Sequence, residues 1–360
     1  MEFRPAARIA FVIANMALSN AHVNMSTSSL PQPDRPSRAA PLWWLTATDR
    51  ERFFPGNGGG PAGELVLDPG AAQSAETLRA RNPEILVTSW QTPPLPLGWL
   101  DDPQCRLRYV CHVGGTVRQW VPRRFLERGG LVTNWGGAVA ESVAEHALLL
   151  ALAALRDLPA WPRGKTGPDG GPRTRTLRGK RVAIHGFGGV PQALVRLLRP
   201  FGVEIAAFSA GVPDAVFAAH GVRAAGALEE LLPMADVFFE CEALTPATEG
   251  ALDASRLARL RDGVVFVNVG RGRLVDEAAL VAEARAGRLR VAVDVLQHEP
   301  ITPASVLCQV PGAVVSPHIA GPTREEYAII GRRAADNVQR YLRGEPLEDV
   351  VTLAHYDRST

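Results

Sequence analysis

From residue 42 onward, short apolar runs alternate with stretches whose apolar residues recur at helical spacing. The runs at 42–45, 64–67, 85–88, 107–111 and 131–133 are separated by turn residues, as strands are, and residues 71–81 and 122–128 between them suit helices. This alternation predicts a small parallel sheet flanked by helices. Residues 138–156 then read as one long helix, continuously apolar toward its end, which predicts burial between two domains. Residues 163–178, rich in Gly, Pro, Arg and Thr without periodicity, read as a loop or linker.

A second series follows, with strands at 182–185, 203–208, 237–240, 264–269, 290–295 and 313–316. Helical patterns lie between them, up to residue 199 and at 214–220, 255–260 and 277–286. Strands this uniformly apolar are buried on both faces, so the series predicts a doubly wound parallel sheet. The last helical pattern, 324–342, has apolar Ile329, Ile330, Ala334 and Val338 and is expected to return to the first domain.

Within the second series, VAIHGFGGVPQALVRLL (182–198) is a strand, a glycine turn and a helix. Gly186, Phe187, Gly188, Gly189 and Val190 form the turn, where bare backbone N–H groups and the positive end of the helix dipole suit a pyrophosphate. Pro191 stands where G-x-G-x-x-G has its third glycine. Proline is tolerated in a first helical turn but does not give the close helix-to-strand packing of glycine.

Composition narrows the function classes. Apolar residues make up 46% and charged residues 21% of the 360, as in a globular protein with room for two domains. A formal charge of +2 gives no electrostatic reason to expect nucleic acid or a membrane as partner. Cys105, Cys111, Cys241 and Cys308 form no C-x-x-C pair and no zinc spacing, so no metal site is expected, and free thiols point to the cytoplasm. The apolar stretch 9–18, behind Arg4 and Arg8, is broken by Asn15 and makes a poor export signal; residues 1–40 are expected to be a disordered leader.

In an open α/β sheet, ligands bind beyond the carboxyl ends of the strands. Three polar segments stand there: Arg271 after the strand ending at Val269, Glu299 after the strand ending at Val295, and His318 after Ser316. A guanidinium holds a carboxylate in a bidentate fork and polarises a neighbouring carbonyl. A histidine takes or returns a hydroxyl proton, and a carboxylate beside it fixes its tautomer and stabilises the imidazolium. Each residue alone reads as an ordinary loop, turn or cap; all three on one edge read as a hydride-transfer site.

These segments resemble the D-isomer-specific 2-hydroxyacid dehydrogenase family. The resemblance rests on TNWGGAVAESVAEHALLL (133–150), LTPATEG (244–250), VNVGRGRLVDEAAL (267–280), AVDVLQHEP (292–300) and SPHIAG (316–321), in the family's order. It implies two doubly wound α/β domains, a Rossmann NAD(P)-binding domain (156–321) inserted into a flavodoxin-like substrate domain (41–155 plus 322–360). It implies Arg271 as substrate-binding and activating residue, His318 as acid/base and Glu299 as its partner. For the substrate carboxylate it implies backbone N–H groups at Val113, Gly114 and Gly115, with Ser89 lining the pocket. For the cofactor it implies Leu244 and Thr245 at the ribose, Asn268 and Asp294 near the catalytic arginine and the nicotinamide amide, and Val269 and Gly321 among the further cofactor-binding residues. The implied partners are NAD, with NADP possible, a small 2-hydroxy or 2-keto acid, and a second copy in a homodimer. The family's formate-specific branch carries glutamine at the position of Glu299.

The chain departs from the family pattern at Pro191, at Ser209 and at Arg118, where many members have Asp. Ser209 closes the strand at which an Asp would hold both ribose hydroxyls, and residues 210–213 offer no arginine to a 2'-phosphate. His146, in an apolar helix, reads as structural. The altered glycine turn and Ser209 also fit a second reading, a regulator or scaffold that binds NAD(H) without turnover; the full Arg271, Glu299 and His318 set favours the enzyme.

Overall fold

The computed structural model describes residues 40–55, 64–66, 74–163 and 174–358. The expected leader falls outside these residues except for Ala40, and so does most of the expected linker.

Five strands build the first sheet: β1 (Leu42–Trp44), β2 (Glu64–Val66), β3 (Ile85–Thr88), β4 (Tyr109–His112) and β5 (Leu131–Thr133). Every pairing is parallel and the order is β2-β1-β3-β4-β5, the flavodoxin-like arrangement. Its helices are α1 (Ala47–Phe53), α2 (Ser74–Arg81), α3 (Leu97–Leu100) and α4 (Arg123–Glu127). The connecting helix α5 (Ala140–Leu155) leads to the second sheet, of seven strands: β6 (Arg181–His185), β7 (Glu204–Phe208), β8 (Arg223–Ala224), β9 (Val237–Glu240), β10 (Val265–Asn268), β11 (Arg290–Val293) and β12 (Val314–Val315). Between them run α6 (Gly189–Leu198), α7 (Asp214–Ala219), α8 (Leu228–Leu231), α9 (Ala254–Arg259) and α10 (Glu277–Arg285). The order β12-β11-β10-β9-β6-β7-β8 is also all parallel and reverses between β6 and β9, as in a dinucleotide-binding fold. The chain ends with α11 (Arg324–Arg343) and α12 (Leu353–Arg358).

Each sheet is apolar on both faces. On the second, Val182, Ile184, Phe239, Val265 and Val267 point to one core and Ala183, Phe238, Phe266, Val291 and Val293 to the other, the period-2 alternation of a doubly covered sheet. The two connecting helices cross over. Helix α5 buries Ala144, Ala147, Leu150, Ala151 and Ala154 in a core of the second sheet. Helix α11 buries Ile330, Ala334, Val338 and Tyr341 against Trp43, Ile85, Val87 and Tyr109 of the first. At Gly331 the approach to α1 is so close that a Cβ would lie 1.8 Å from the Phe53 carbonyl oxygen. The tail then adds Val351, whose N–H donates to Val132 (2.8 Å), and Tyr356, whose hydroxyl donates to the Val121 carbonyl (2.7 Å).

Candidate active site

The strand register sets the edge of the site. His185 pairs with Phe208 and with Glu240, and Glu240 with Asn268, which pairs with Val293, so five strand ends and the turns after them lie side by side. The glycine turn opens from this edge. Gly186 (φ +95°) donates its N–H to the Phe208 carbonyl (2.8 Å), and a Cβ on it would lie 2.6 Å from the Cys241–Glu242 peptide. Only glycine combines that positive φ with that approach. Gly188 is the N-cap of α6, no side chain caps the turn, and a Cβ on Gly188 would meet nothing within 4 Å. The N–H groups of Gly189 and Val190 therefore open a cradle that fits a pyrophosphate. Pro191 is the third helical residue, buried on the core side. Phe187 contributes backbone only: its ring is buried against Phe217, 4.4 Å between centroids.

Ser209 follows β7 directly, and its hydroxyl donates to Glu242 Oε2 at 2.7 Å. Beneath them, His185 Nδ1 meets Glu240 Oε2 at 2.7 Å, both side chains buried. Burial pulls the His185 pKa down, but the Glu240 carboxylate outweighs it and the net shift is upward. Leu244 and Thr245 lie on the turn after β9, half-buried, with Thr245 bonded to Thr248.

After β10, Asn268 braces the arginine turn from both ends. Its Oδ1 accepts from Gly270 N–H (2.9 Å) and its Nδ2 donates to the Arg271 carbonyl (3.1 Å). Val269 is buried. Desolvation lowers the Arg271 pKa, and the nearby negative charge of Glu299 works against that shift. Glu299 Oε2 in turn lies 2.7 Å from His318 Nδ1, and both side chains remain partly open to solvent, 35% and 43% exposed. The carboxylate acts as acceptor, so Nδ1 carries the hydrogen and Nε2 is left to exchange a proton. Arg271, Glu299 and His318 therefore do come together.

His318 has φ +54°, an uncommon conformation for a residue with a Cβ. Its turn is held by Asp294, which accepts from the N–H groups of Ile319 (2.9 Å) and Ala320 (3.0 Å) and from Ser316 Oγ (2.6 Å). Burial raises the Asp294 pKa, yet these donors and His146 lower it overall. Since the Ser316 hydroxyl hydrogen goes to Asp294, His146 Nε2 donates to Ser316 Oγ at 2.8 Å. His146 is thus structural, as expected, but its work is to tie α5 to the histidine turn. Ser142, one helical turn earlier, donates to Glu326 Oε2 (2.8 Å) of the α11 capping box. Ser142 and His146, polar residues at i, i+4 on one face of the helix, were the available signal.

On the first sheet, Gly114 and Gly115 follow β4 through Val113, with the indoles of Trp90 and Trp135 packed against them and each other (5.2 Å, edge to face). Ser89 corrects the expectation of a pocket-lining side chain. It is fully buried, its hydroxyl donates to the buried Asp49 carboxylate, and it accepts from Gln91 N–H (3.3 Å). Gly321 packs against Val139, Ser142 and Val143 of α5. The positive charge of Arg118 bears on Tyr356 and Asp357 of α12.

Residues 147–320 match the family described as D-isomer specific 2-hydroxyacid dehydrogenase, NAD binding domain. That stretch of the chain belongs to this family. It is 36% identical over 237 residues to the D-3-phosphoglycerate dehydrogenase of Mycobacterium bovis, covering 63% of this chain and 43% of that protein. It is 34% identical over 211 residues to the (S)-sulfolactate dehydrogenase of Chromohalobacter salexigens, covering 57% of this chain and 66% of that one. The alignment thus spans less than half of the mycobacterial relative. The fold is also that of a glyoxylate reductase from Paecilomyes thermophila, TM-score 0.72 at 24% identity, covering 87% of this chain and 98% of that one. The NAD-binding region of the family takes in the second sheet, the later part of α5 and the turn bearing His318.

Proposed function

We propose that this chain is an NAD(H)-dependent oxidoreductase that interconverts a D-2-hydroxy acid and its 2-keto acid. The observation that carries this reading is the 2.7 Å contact of His318 Nδ1 with Glu299, at the edge where Glu299 also acts on the Arg271 guanidinium. The bound nicotinamide supplies or accepts the hydride. Arg271 binds the substrate carboxylate and polarises the carbonyl at C2; Asn268 keeps it in place from both ends of its turn. His318 gives a proton from Nε2 to the carbonyl oxygen in reduction and takes it back in oxidation, while Glu299 holds Nδ1–H and stabilises the imidazolium. The cradle at Gly188, Gly189 and Val190 suits the pyrophosphate.

In this reading residues 41–155 with 322–360 form the substrate domain and 156–321 the cofactor domain, with α5 as their shared wall. The loop of Gly114 and Gly115 takes the substrate carboxylate through backbone N–H groups; the Val113 N–H, also expected there, donates instead to the Thr88 carbonyl (2.8 Å). The Trp90 and Trp135 indoles beside it favour a substrate with an apolar side chain over a phosphorylated one. No described helix is long and apolar enough to cross a membrane, and the four cysteines are unpaired. The family resemblance favours a homodimer, which light scattering would read as twice 38.6 kDa.

The test is a panel of 2-keto acids with NADH and with NADPH, followed by loss of the reduced nicotinamide absorbance. Turnover that disappears in His318→Ala and Arg271→Ala supports the reading. Tight NADH binding without turnover across the panel sinks it in favour of a regulator.

A further inference from the structure

The strand that ends at Ser209 lacks the acid that usually discriminates between the two dinucleotides, and the structure supplies a carboxylate to the same place from another strand. Ser209 lies 23 residues after Gly186, where an acidic residue holds the adenosine ribose hydroxyls in a dinucleotide fold. Its side chain is not idle: Ser209 Oγ donates to Glu242 Oε2 at 2.7 Å. Glu242 reaches this point because its own peptide lies against Gly186, with only 2.6 Å between Glu242 N and a Cβ on that glycine. The Glu242 N–H donates to Glu240 Oε1 (2.9 Å), and Glu242 Oε1 accepts from Ala243 N–H (2.9 Å), so the side chain is pinned at both ends. We infer that Glu242, anchored by Ser209, is the residue that selects NAD(H) against NADP(H) in this chain. The inference rests on the dehydrogenase reading and deepens it at the cofactor site.

The charge balance at the strand ends supports this. Glu240 is engaged with His185 at 2.7 Å in the buried layer below, and its other oxygen accepts from the Glu242 N–H. Glu242 is half-buried, and the Ser209 hydroxyl and the Ala243 N–H that hold it are both neutral. Residues 210–213, Ala-Gly-Val-Pro, bring no cation to the strand end. Two hydrogen bonds leave a carboxylate with lone pairs to spare, enough to accept from both ribose hydroxyls. A 2'-phosphate at the same spot meets a like charge in a partly desolvated pocket, which is repulsive.

The experiment is calorimetric titration of the full chain with NADH and NADPH, with no substrate present. The wild type is expected to bind NADH more tightly by about a hundredfold, the scale of lost charged hydrogen bonds combined with like-charge repulsion. In Glu242→Gln, NADH affinity falls and NADPH affinity rises, so the ratio drops by about tenfold or more. Moving the acid back to its strand, in Ser209→Asp combined with Glu242→Ala, restores the preference for NADH. This second variant also separates loss of selectivity from loss of folding. The inference is overturned if the wild type binds both cofactors equally, if it prefers NADPH, or if Glu242→Gln leaves the ratio unchanged. A chain that binds neither cofactor overturns the dehydrogenase reading along with it.

Discussion

His318 occupies a left-handed conformation, φ +54°, that costs a non-glycine residue roughly 1–3 kcal/mol and persists only where its surroundings enforce it. Here Asp294 and Glu299 do so, one through the backbone of the turn and the other through the ring. If His318 moves the proton, His318→Ala lowers kcat by about 10²- to 10⁴-fold with a smaller change in cofactor affinity, as steady-state kinetics and titration would read together. Glu299→Gln keeps a hydrogen-bond acceptor but removes the charge that stabilises the imidazolium, so it lowers kcat less than His318→Ala does. An unchanged kcat would remove Glu299 from this role. Two other histidines set opposite pH dependences of stability. His112, its pKa held down to about 3 by burial, is neutral when folded, so its share of stability is lost as pH falls below about 6.5, the unfolded value. His185 has a raised pKa, so its share is full below about 6.5 and is lost as pH rises through the folded value. Urea unfolding against pH is expected to lose its acid-side slope in His112→Gln and its alkaline-side slope in His185→Gln. Arg271, Glu299 and His318 could be singled out in the sequence because each lies in the polar segment that follows an apolar strand. Ser89, expected in the pocket from the family resemblance, is bonded instead to Asp49 of a helix 40 residues earlier, a contact no local pattern reports.

Among the elements, α5 was read correctly as a long buried helix, but its function lies in the polar residues that interrupt its apolar surface. Ser142 and His146 reach the α11 capping box and the histidine turn respectively, so the helix sets where two other segments begin. The strands of the second sheet were legible because they are apolar on both faces. The short helices α1, α3, α8 and α12 were not, since four to seven residues carry too little periodicity and depend on tertiary packing. Replacing His146 by Leu removes the donor to Ser316 while filling the space. We expect kcat to fall about tenfold, the scale of one lost buried hydrogen bond, with NADH affinity unchanged and the melting temperature nearly so. Asp294→Asn goes further, because an amide nitrogen cannot accept from the Ala320 N–H, and it should lower kcat more than His146→Leu does. If both variants lost NADH binding and activity in parallel, Asp294 and His146 would be supporting the fold and not the placement of His318.

At the scale of the whole molecule, the chain passes from the first sheet to the second through α5 and returns through α11, and each helix packs on the sheet it enters. Any contact that seats α11 should therefore affect the first sheet without touching the glycine turn of the second. Gly331 provides that separation. A Cβ there would lie 1.8 Å from the Phe53 carbonyl oxygen, a backbone atom that cannot rotate away, so Gly331→Ala forces α1 and α11 apart. The cost is that of overpacking, about 1–3 kcal/mol, visible as a lower urea midpoint. Phe53 lies 5.8 Å from Trp90, and Trp90 lies 5.2 Å from Trp135, so displacement of α1 passes along an aromatic row to the loop at Gly114 and Gly115. With the substrate carboxylate held by that loop, Gly331→Ala raises KM for the 2-keto acid while the Kd for NADH, measured in the same preparation, stays at the wild-type value. Equal losses in both would mean that the two sheets respond as one body, and the division of labour between them would have to be abandoned.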